Sequence, residues 1–201
     1  MRRKTFARMN CSIARALEQI GEWWTFLILR EAFMGTRRFD AFQRSLGIAR
    51  NILSARLKKL VARGILERAP APDDARRVEY RLTRKGRELF PVLMALREWG
   101  DRWVVGPDRV PVVVVDRELS QPVEVLVTSR DGRRLGASDV RMVPGPGAAA
   151  TTRARLTRAR GPAIPERPNG QGRTIEHPLG RPRRLEPVDV SPAGKEASET
   201  P

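Results

Sequence analysis

The feature that most constrains the fold is a change of hydrophobic spacing at Gly64. Before Gly64, apolar residues recur every three or four positions in four consecutive segments, the spacing that gives an α-helix one apolar face. These segments are 11–20, 23–34, 39–46 and 49–63. After Gly64 the apolar residues alternate with polar ones, which indicates β-strands, and helical spacing then returns over 84–103. This order predicts a mainly α-helical domain with one β-hairpin before its last helix.

The hairpin and the turn before the fourth helix are marked by their own residues. Gly47 predicts a tight turn between the third and fourth helices. Ile65–Arg68 predicts a short strand, and Val78, Tyr80 and Leu82 alternate with polar residues in a second one. The loop 69–77 between them holds two prolines and two aspartates, which are turn-forming residues.

The predicted second and last helices each have a distinctive feature. The segment 23–34 is apolar nearly all round, so we expect a central buried helix. The last helix is predicted to begin after Thr83, whose hydroxyl is suited to an N-cap. Pro91 lies inside that helix and is predicted to kink it or to shift its start.

Charge and aromatic residues are concentrated in the first part of the chain. The formal net charge is +16, and residues 1–103 hold 23 Lys/Arg against 11 Asp/Glu. All eleven aromatic residues also lie there, the last being Trp103. A packed core therefore coincides with a basic surface, which predicts an anionic partner.

Cysteine content and apolar run length limit the function classes. Cys11 is the only cysteine, which excludes a disulfide within the chain and a cysteine-based metal cluster and fits a reducing cytoplasm. The longest apolar runs are too short to span a bilayer. We therefore expect a cytoplasmic protein without a membrane partner, a bound metal or a cofactor.

Composition divides the chain into four predicted parts. In chain order these are an N-terminal arm (1–10), a helical domain with a hairpin (11–103), a small β module (110–143) and a disordered tail (144–201). The β module is valine-rich, and its predicted strands are Pro111–Asp116 and Val123–Thr128. The tail has ten prolines, seven glycines and no aromatic residue, so it cannot bury enough apolar area to offset its chain entropy.

The third and fourth helices with the hairpin have the arrangement of a winged helix-turn-helix. An α-helix fits the major groove of DNA, and a two-stranded ribbon can follow the backbone or enter the minor groove. The fourth helix buries one apolar side and presents polar and basic residues on the other. The candidate DNA-binding residues are Arg37, Arg38, Arg50, Asn51, Ser54, Lys58, Lys59, Arg76 and Arg77.

These candidates have different expected roles. Arg50 and Asn51 lie in the first turn of the fourth helix, where Arg can pair with guanine and Asn with adenine through two hydrogen bonds. Lys58 and Lys59 lie further along and are better placed for phosphates, as are Arg37 and Arg38 before the third helix. The hairpin, with its loop 69–77, is the wing of this arrangement. Arg76 and Arg77 in that loop would make its contact with DNA.

The sequence is also compatible with functions other than duplex binding. A winged helix can serve as a protein-interaction module without specific DNA binding. A single-strand or RNA binder is disfavoured because the aromatic residues fall on apolar stripes, leaving no exposed stacking platform. No arrangement of nucleophile, base, phosphate loop or metal ligands is evident, and the only histidine, His177, lies in the predicted tail. We therefore do not expect an enzyme.

Several runs of the sequence, over about residues 10–103, resemble HxlR-type transcriptional regulators, which are relatives of the MarR group. The runs are CSIARALEQIGEWWT (11–25), GTRRF (35–39), LSARLKKL (53–60), VEYRLTRKG (78–86) and WGDRW (99–103). Many relatives have Pro where Ser12 stands, Lys where Trp23 stands and Ser where Ala49 stands. The last difference removes an N-cap side chain from the fourth helix.

The resemblance implies a homodimeric winged-helix protein, more often a repressor than an activator, that binds an inverted repeat in duplex DNA. The first and last helices would form the dimer interface, through Ile13, Leu93, Leu96, Trp99 and Trp103. An unknown small-molecule or redox effector would control it. Cys11 occupies a position where some family members sense oxidants; the alternative is a small buried apolar residue.

Overall fold

The computed structural model of the chain describes residues 5–158. Its regular elements, in chain order, are α1 (Ser12–Ile20), α2 (Trp23–Phe33), α3 (Phe39–Leu46), α4 (Arg50–Ala62), β1 (Leu66–Pro70), β2 (Val78–Leu82), α5 (Arg84–Arg87), α6 (Phe90–Gly100) and α7 (Ala150–Arg158). The first four helices match the four predicted segments to within one residue. Among residues 5–158, no helix has the length and hydropathy needed to cross a bilayer.

The core lies between α2, α3, α4 and the base of the hairpin. Its fully buried side chains are Ile28, Leu29, Phe42, Leu53, Leu57, Leu60, Ile65 and Leu66. The three leucines of α4 recur at helical spacing, so one side of that helix is buried and the opposite side faces outward. Burial of each such side chain stabilises the fold by about 1.5–3 kcal/mol.

The predicted turn between α3 and α4 is present. Gly47 ends α3 in the left-handed conformation, with φ +60°, and its N–H donates to Gln43 O. A side chain at this position would strain the backbone, because L-residues rarely adopt that conformation. The turn redirects the chain from α3 into α4.

The hairpin is an antiparallel pair that runs two residues further than predicted. Leu66 pairs with Leu82 and Pro70 with Val78, whereas the predicted first strand stopped at Arg68. Pro70 is tolerated because β1 forms the outer edge of a two-stranded ribbon. The loop is therefore limited to residues 71–77.

The predicted single helix over 84–103 is divided in two. Thr83 is the N-cap, as predicted, since its Oγ1 accepts a hydrogen bond from Gly86 N at 3.1 Å. The short α5 ends before Glu88, and α6 starts anew with Pro91 in its first turn, where a missing N–H costs nothing. The expected shift of the helix start by Pro91 is confirmed. A π-helical turn, Asp101–Val105, then closes the domain.

The predicted strands 111–116 and 123–128 do not form. The described structure has two isolated bridges there, Val115 with Pro122 and Thr128 with Arg134. Asp116 bends the chain, because its carboxylate accepts hydrogen bonds from the amides of Glu118, Leu119 and Gln121. The segment contacts α6, where Val125 N donates to Glu98 Oε2 at 3.1 Å.

Part of the segment predicted to be a disordered tail is helical. Residues 150–158 form α7, and Asn10 supports its start. Asn10 Oδ1 accepts hydrogen bonds from Ala149 N at 2.9 Å and Thr152 Oγ1 at 2.8 Å. Composition alone could not reveal this local support from the N-terminal arm. The rest of the predicted tail, including His177, lies outside the described residues.

Candidate nucleic-acid interface

The outward side of α4 carries the predicted groove-facing residues. Arg50, Asn51, Ser54, Lys58 and Lys59 are all exposed. At about 3.6 residues per turn, Asn51, Lys58 and Lys59 lie roughly opposite the buried leucines, Ser54 lies at the flank, and Arg50 lies at the helix start, nearer the leucine side. All five candidates on this 13-residue helix are therefore accessible from solvent.

Arg50 rests on an aromatic ring from the neighbouring helix. Its guanidinium carbon lies 5.1 Å from the centroid of the Phe39 ring, within the range of a cation–π contact. Phe39 is the first residue of α3, and Arg50 is the first residue of α4. The contact holds the Arg50 side chain at the start of the outward helix.

Asn51 replaces part of the missing N-cap of α4. Ala49 occupies the cap position and offers no side-chain hydrogen bond. Asn51 Oδ1 instead accepts from Ile52 N at 2.9 Å, which satisfies one of the free amides of the first turn. A contact with adenine through that oxygen would require Asn51 to exchange this bond for the base edge.

Glu22 reduces the free positive charge at the other end of α4. Its carboxylate lies 3.2 Å from Arg56 Nη2 and 3.8 Å from Lys59 Nζ. Lys58 is exposed and has no ion pair with the residues that the structure describes. The sequence did not single out Glu22 or Arg56, because the pairing joins residues that are distant in sequence.

The corner between α2 and α3 meets the wing. Tyr80 N donates to Arg37 O at 2.8 Å, which ties β2 to the corner backbone. Arg38 Nη2 lies 3.0 Å from Asp73 Oδ2, and Arg77 Nη1 lies 3.7 Å from the same oxygen. The predicted corner and wing arginines are therefore brought together, with a carboxylate between two of them.

The second wing carboxylate is engaged within the loop. Asp74 Oδ1 accepts from Arg76 N at 3.0 Å and lies 3.4 Å from Arg76 Nε. The other oxygen lies 3.4 Å from Arg77 Nε. An aspartate that bonds an amide two residues on forms a turn, which agrees with the predicted role of Asp74.

Glu31 is a buried carboxylate that positions the corner from inside. It is 3 % exposed and accepts hydrogen bonds from Ser45 Oγ at 2.6 Å and Arg30 Nη2 at 2.7 Å, while Thr36 Oγ1 lies 3.5 Å away. Burial alone would raise the pKa of Glu31, but the hydrogen bonds and the Arg30 charge outweigh it and lower the pKa below its ordinary value. The carboxylate thus links α2 to α3.

Comparison with known proteins agrees with this geometry. The family model described as HxlR-like helix-turn-helix matches residues 19–107. An HTH-type transcriptional regulator of Mycobacterium tuberculosis, MT3179, which is named as uncharacterized, is 43 % identical over 137 residues, covering 68 % of this chain and 87 % of that protein. This chain belongs to the HxlR-like helix-turn-helix family. It is a transcriptional regulator with a helix-turn-helix DNA-binding domain.

Solved structures place this HxlR-like chain among winged-helix proteins. The candidate transcription factor PA1607 is 45 % identical, with a TM-score of 0.66 over 71 % of this chain and 100 % of that one. A second candidate transcription factor, PA1374 of Pseudomonas aeruginosa, is 42 % identical, with a TM-score of 0.52 over 72 % of this chain and 99 % of that one. Both likenesses extend beyond the helix-turn-helix.

Two predictions about residues 23–34 of this HxlR-like domain need correction. We expected a helix buried nearly all round at 23–34 and no exposed aromatic platform. Trp23 is 90 % exposed, because it is the first residue of α2 and the core-facing side of the helix begins with Thr25. Met34, at the other end, is also exposed.

The predicted dimer residues of the HxlR-like domain divide into two groups. Ile13, Leu96, Trp99 and Trp103 are exposed on α1, α6 and the π-helical turn. Leu93 is buried within the protomer, so it is part of the domain's own packing. The helical periodicity could not separate the inward side of α6 from its outward side.

Cys11 lies at the N-cap position of α1 and is half-buried. It borders a groove of about 380 Å³ that α1 forms with residues 143–156, including Gly147 and Leu156. Cys11 is therefore less buried than the predicted alternative, a small buried apolar residue, would be. Among the described residues, no group of histidine, cysteine and carboxylate side chains could hold a metal ion.

Proposed function

We propose that this HxlR-like protein is a homodimeric repressor that binds an inverted repeat in duplex DNA with sequence specificity. The observation that carries the proposal is the exposed basic side of α4, with Arg50 and Asn51 at its start, together with a wing whose Asp73 pairs with Arg38 before α3 and with Arg77 in the wing loop. Basic side chains at the grooves and along the backbone are the electrostatic footprint of a duplex-binding domain.

The contacts divide by role. Arg50 and Asn51 read base edges, since the first turn of the recognition helix is the part that reaches them. Lys58, Arg37 and the wing arginines bind phosphates and fix the register of the domain on the duplex. Lys59 contributes less to backbone binding because Glu22 lies near its ammonium group.

Exposed apolar side chains support the homodimer. Trp99 and Trp103 are 59 % and 70 % exposed, and Leu96 lies one helical turn before Trp99. An exposed patch of tryptophan and leucine is typical of a surface that another protein covers. A second copy of the chain as occupant gives two recognition helices and an inverted-repeat site with half-sites about one helical turn, or a multiple, apart.

Repression and its release rest on the family resemblance. Binding of a small molecule, or oxidation of Cys11, would release the operator. Diamide treatment of the wild type and of Cys11→Ser, followed by measurement of operator affinity, tests the redox route. A loss of affinity confined to the wild type supports it, and identical behaviour of the two proteins ends it.

Selection of genomic fragments by the full-length chain, followed by footprinting, tests the DNA-binding proposal. We expect a protected inverted repeat and an affinity that falls steeply with salt, by about 0.9 in log K per log salt for each phosphate neutralised. The competing hypothesis is a winged-helix protein-interaction module. No enriched sequence together with a flat salt response would favour that hypothesis.

A further inference from the structure

Asp73 connects two separate parts of the proposed DNA surface. Its Oδ2 accepts a hydrogen bond from Arg38 Nη2 at 3.0 Å, and Arg77 Nη1 lies 3.7 Å from the same atom. Arg38 precedes α3, whereas Asp73 and Arg77 belong to the wing loop. The carboxylate therefore occupies a position between two guanidinium groups that face solvent.

The fold does not depend on this carboxylate. The side chains of Asp73, Arg38 and Arg77 are 60 %, 41 % and 57 % exposed, and ion pairs at such exposure contribute little to stability. The wing is already joined to the corner by the backbone hydrogen bond from Tyr80 N to Arg37 O.

Asp74 shows by contrast what a structural aspartate does in the same loop. Its side chain is 27 % exposed and accepts a backbone hydrogen bond from Arg76 N at 3.0 Å. The described contacts of the Asp73 side chain are with guanidinium groups only. Asp73 therefore meets these arginines as a phosphate oxygen would, through an anionic oxygen within reach of two cations.

We propose that Asp73 is an internal competitor of DNA phosphate for Arg38 and Arg77. A phosphate that approaches this surface must displace the carboxylate from the guanidinium groups and is repelled by its charge. Asp73 thus limits the sequence-independent part of duplex affinity, the part that would otherwise hold the protein on random DNA. This inference rests on the proposed DNA-binding function.

The test compares Asp73→Asn with Glu88→Gln in the full-length chain. Both variants remove one negative charge and both leave an arginine without its carboxylate, since Arg84 Nε lies 3.1 Å from Glu88 Oε1 and the two carboxylates are similarly exposed, 66 % for Glu88 and 60 % for Asp73. Affinity for a random-sequence 30-base-pair duplex is measured by fluorescence anisotropy across a salt series. The duplex length is about three helical turns, enough for both halves of a dimer.

Asp73→Asn is expected to tighten binding by about threefold or more near 0.1 M salt, and to steepen the salt dependence by about 0.9 for each guanidinium that gains a phosphate. Glu88→Gln is expected to stay within about twofold of the wild type, because its pair lies outside the proposed surface. Adding Arg38→Gln and Arg77→Gln to Asp73→Asn should remove the gain.

Other outcomes overturn the inference. Equal tightening by both variants would mean that net charge alone acts, and weaker binding by Asp73→Asn would mean that Asp73 orients the arginines for DNA. A large fall in melting temperature would make Asp73 a structural residue. Failure of the wild type to bind any duplex at low salt would overturn the proposed function itself, whereas wild-type binding without a gain in Asp73→Asn would overturn only the competitor role.

Discussion

The Arg50 guanidinium lies over the Phe39 ring, with 5.1 Å between its central carbon and the ring centroid. The pair joins the first residues of α3 and α4, on either side of the Gly47 turn. A side chain that reads a base edge gains from being held in place before binding, because less rotamer freedom is then lost in the complex. Phe39 is therefore a residue that positions Arg50.

Phe39→Leu tests this positioning. Leucine keeps the apolar bulk but removes the ring face, and an exposed cation–π contact is worth about 0.5–1 kcal/mol, which corresponds to about a two- to fivefold loss of affinity. We expect that loss for a selected duplex and a smaller one for a random duplex, measured by fluorescence anisotropy. The same loss in an Arg50→Ala background would show that Phe39 does not act through Arg50.

The two adjacent lysines of α4 should differ in their effect on binding. Lys58→Ala is expected to weaken all duplexes alike and to flatten the salt dependence by about 0.9, the effect of one lost phosphate contact. Lys59→Ala should have the smaller effect, because Glu22 Oε1 lies 3.8 Å from the Lys59 ammonium nitrogen. Titrations of the two variants at several salt concentrations make the comparison. A larger effect for Lys59→Ala would contradict the account of Glu22.

The buried carboxylate of Glu31 should make stability depend on pH. Its pKa in the folded state is lowered, so the unfolded chain takes up a proton first as the pH falls. The free energy of unfolding should therefore be at its full value above the unfolded pKa, which is about 4.3, and should decline as the pH falls towards the lower folded pKa.

Glu31→Gln serves as the control for this pH effect. We expect it to cost about 1–3 kcal/mol near neutral pH, through loss of charge-assisted hydrogen bonds to a side chain that is 3 % exposed. The variant should lose less further stability than the wild type on acidification, as measured by urea unfolding at several pH values. Parallel losses in both proteins would assign the acid sensitivity to other groups.

The proposed dimer face can be tested with two matched tryptophans. Trp103→Glu should shift the protein from dimer to monomer in sedimentation experiments, because a charge on an apolar interface must be buried or left unpaired. Trp23→Glu should leave the dimer intact, since Trp23 is 90 % exposed at the start of α2, outside the proposed dimer face. A monomeric wild type, or a Trp103→Glu variant that stays dimeric, would rule out this interface.

Much of the domain could be predicted from hydrophobic spacing and turn residues. Leu53, Leu57 and Leu60 defined the buried side of α4, and Gly47 and Thr83 marked the turn and the cap that the structure confirms. These signals depend on residues that are close in sequence, so they can be identified without knowledge of the tertiary packing. HxlR-type membership was predicted from the runs between 11 and 103, and the family comparisons confirm it.

Long-range pairing could not be predicted in the same way. The position of Glu22 near Lys59, and of Asp73 beside Arg38, depends on how distant segments meet in space. The valine-rich segments form isolated bridges rather than the predicted strands, and Leu93 is buried within the protomer rather than exposed on the outward side of α6. Strand propensity and helical periodicity do not contain this tertiary information.

The most direct test of the account is the affinity ratio between a selected duplex and a scrambled duplex, measured for the wild type, Arg50→Ala, Asn51→Ala and Lys58→Ala. If the start of α4 reads base edges, the wild type should prefer the selected duplex by about 10³-fold or more. Arg50→Ala and Asn51→Ala should each lower the binding free-energy difference between the two duplexes by about 1–3 kcal/mol. Lys58→Ala should weaken both duplexes and leave the ratio unchanged. Equal effects of all three substitutions on the ratio, or a wild-type ratio near one, would contradict the account.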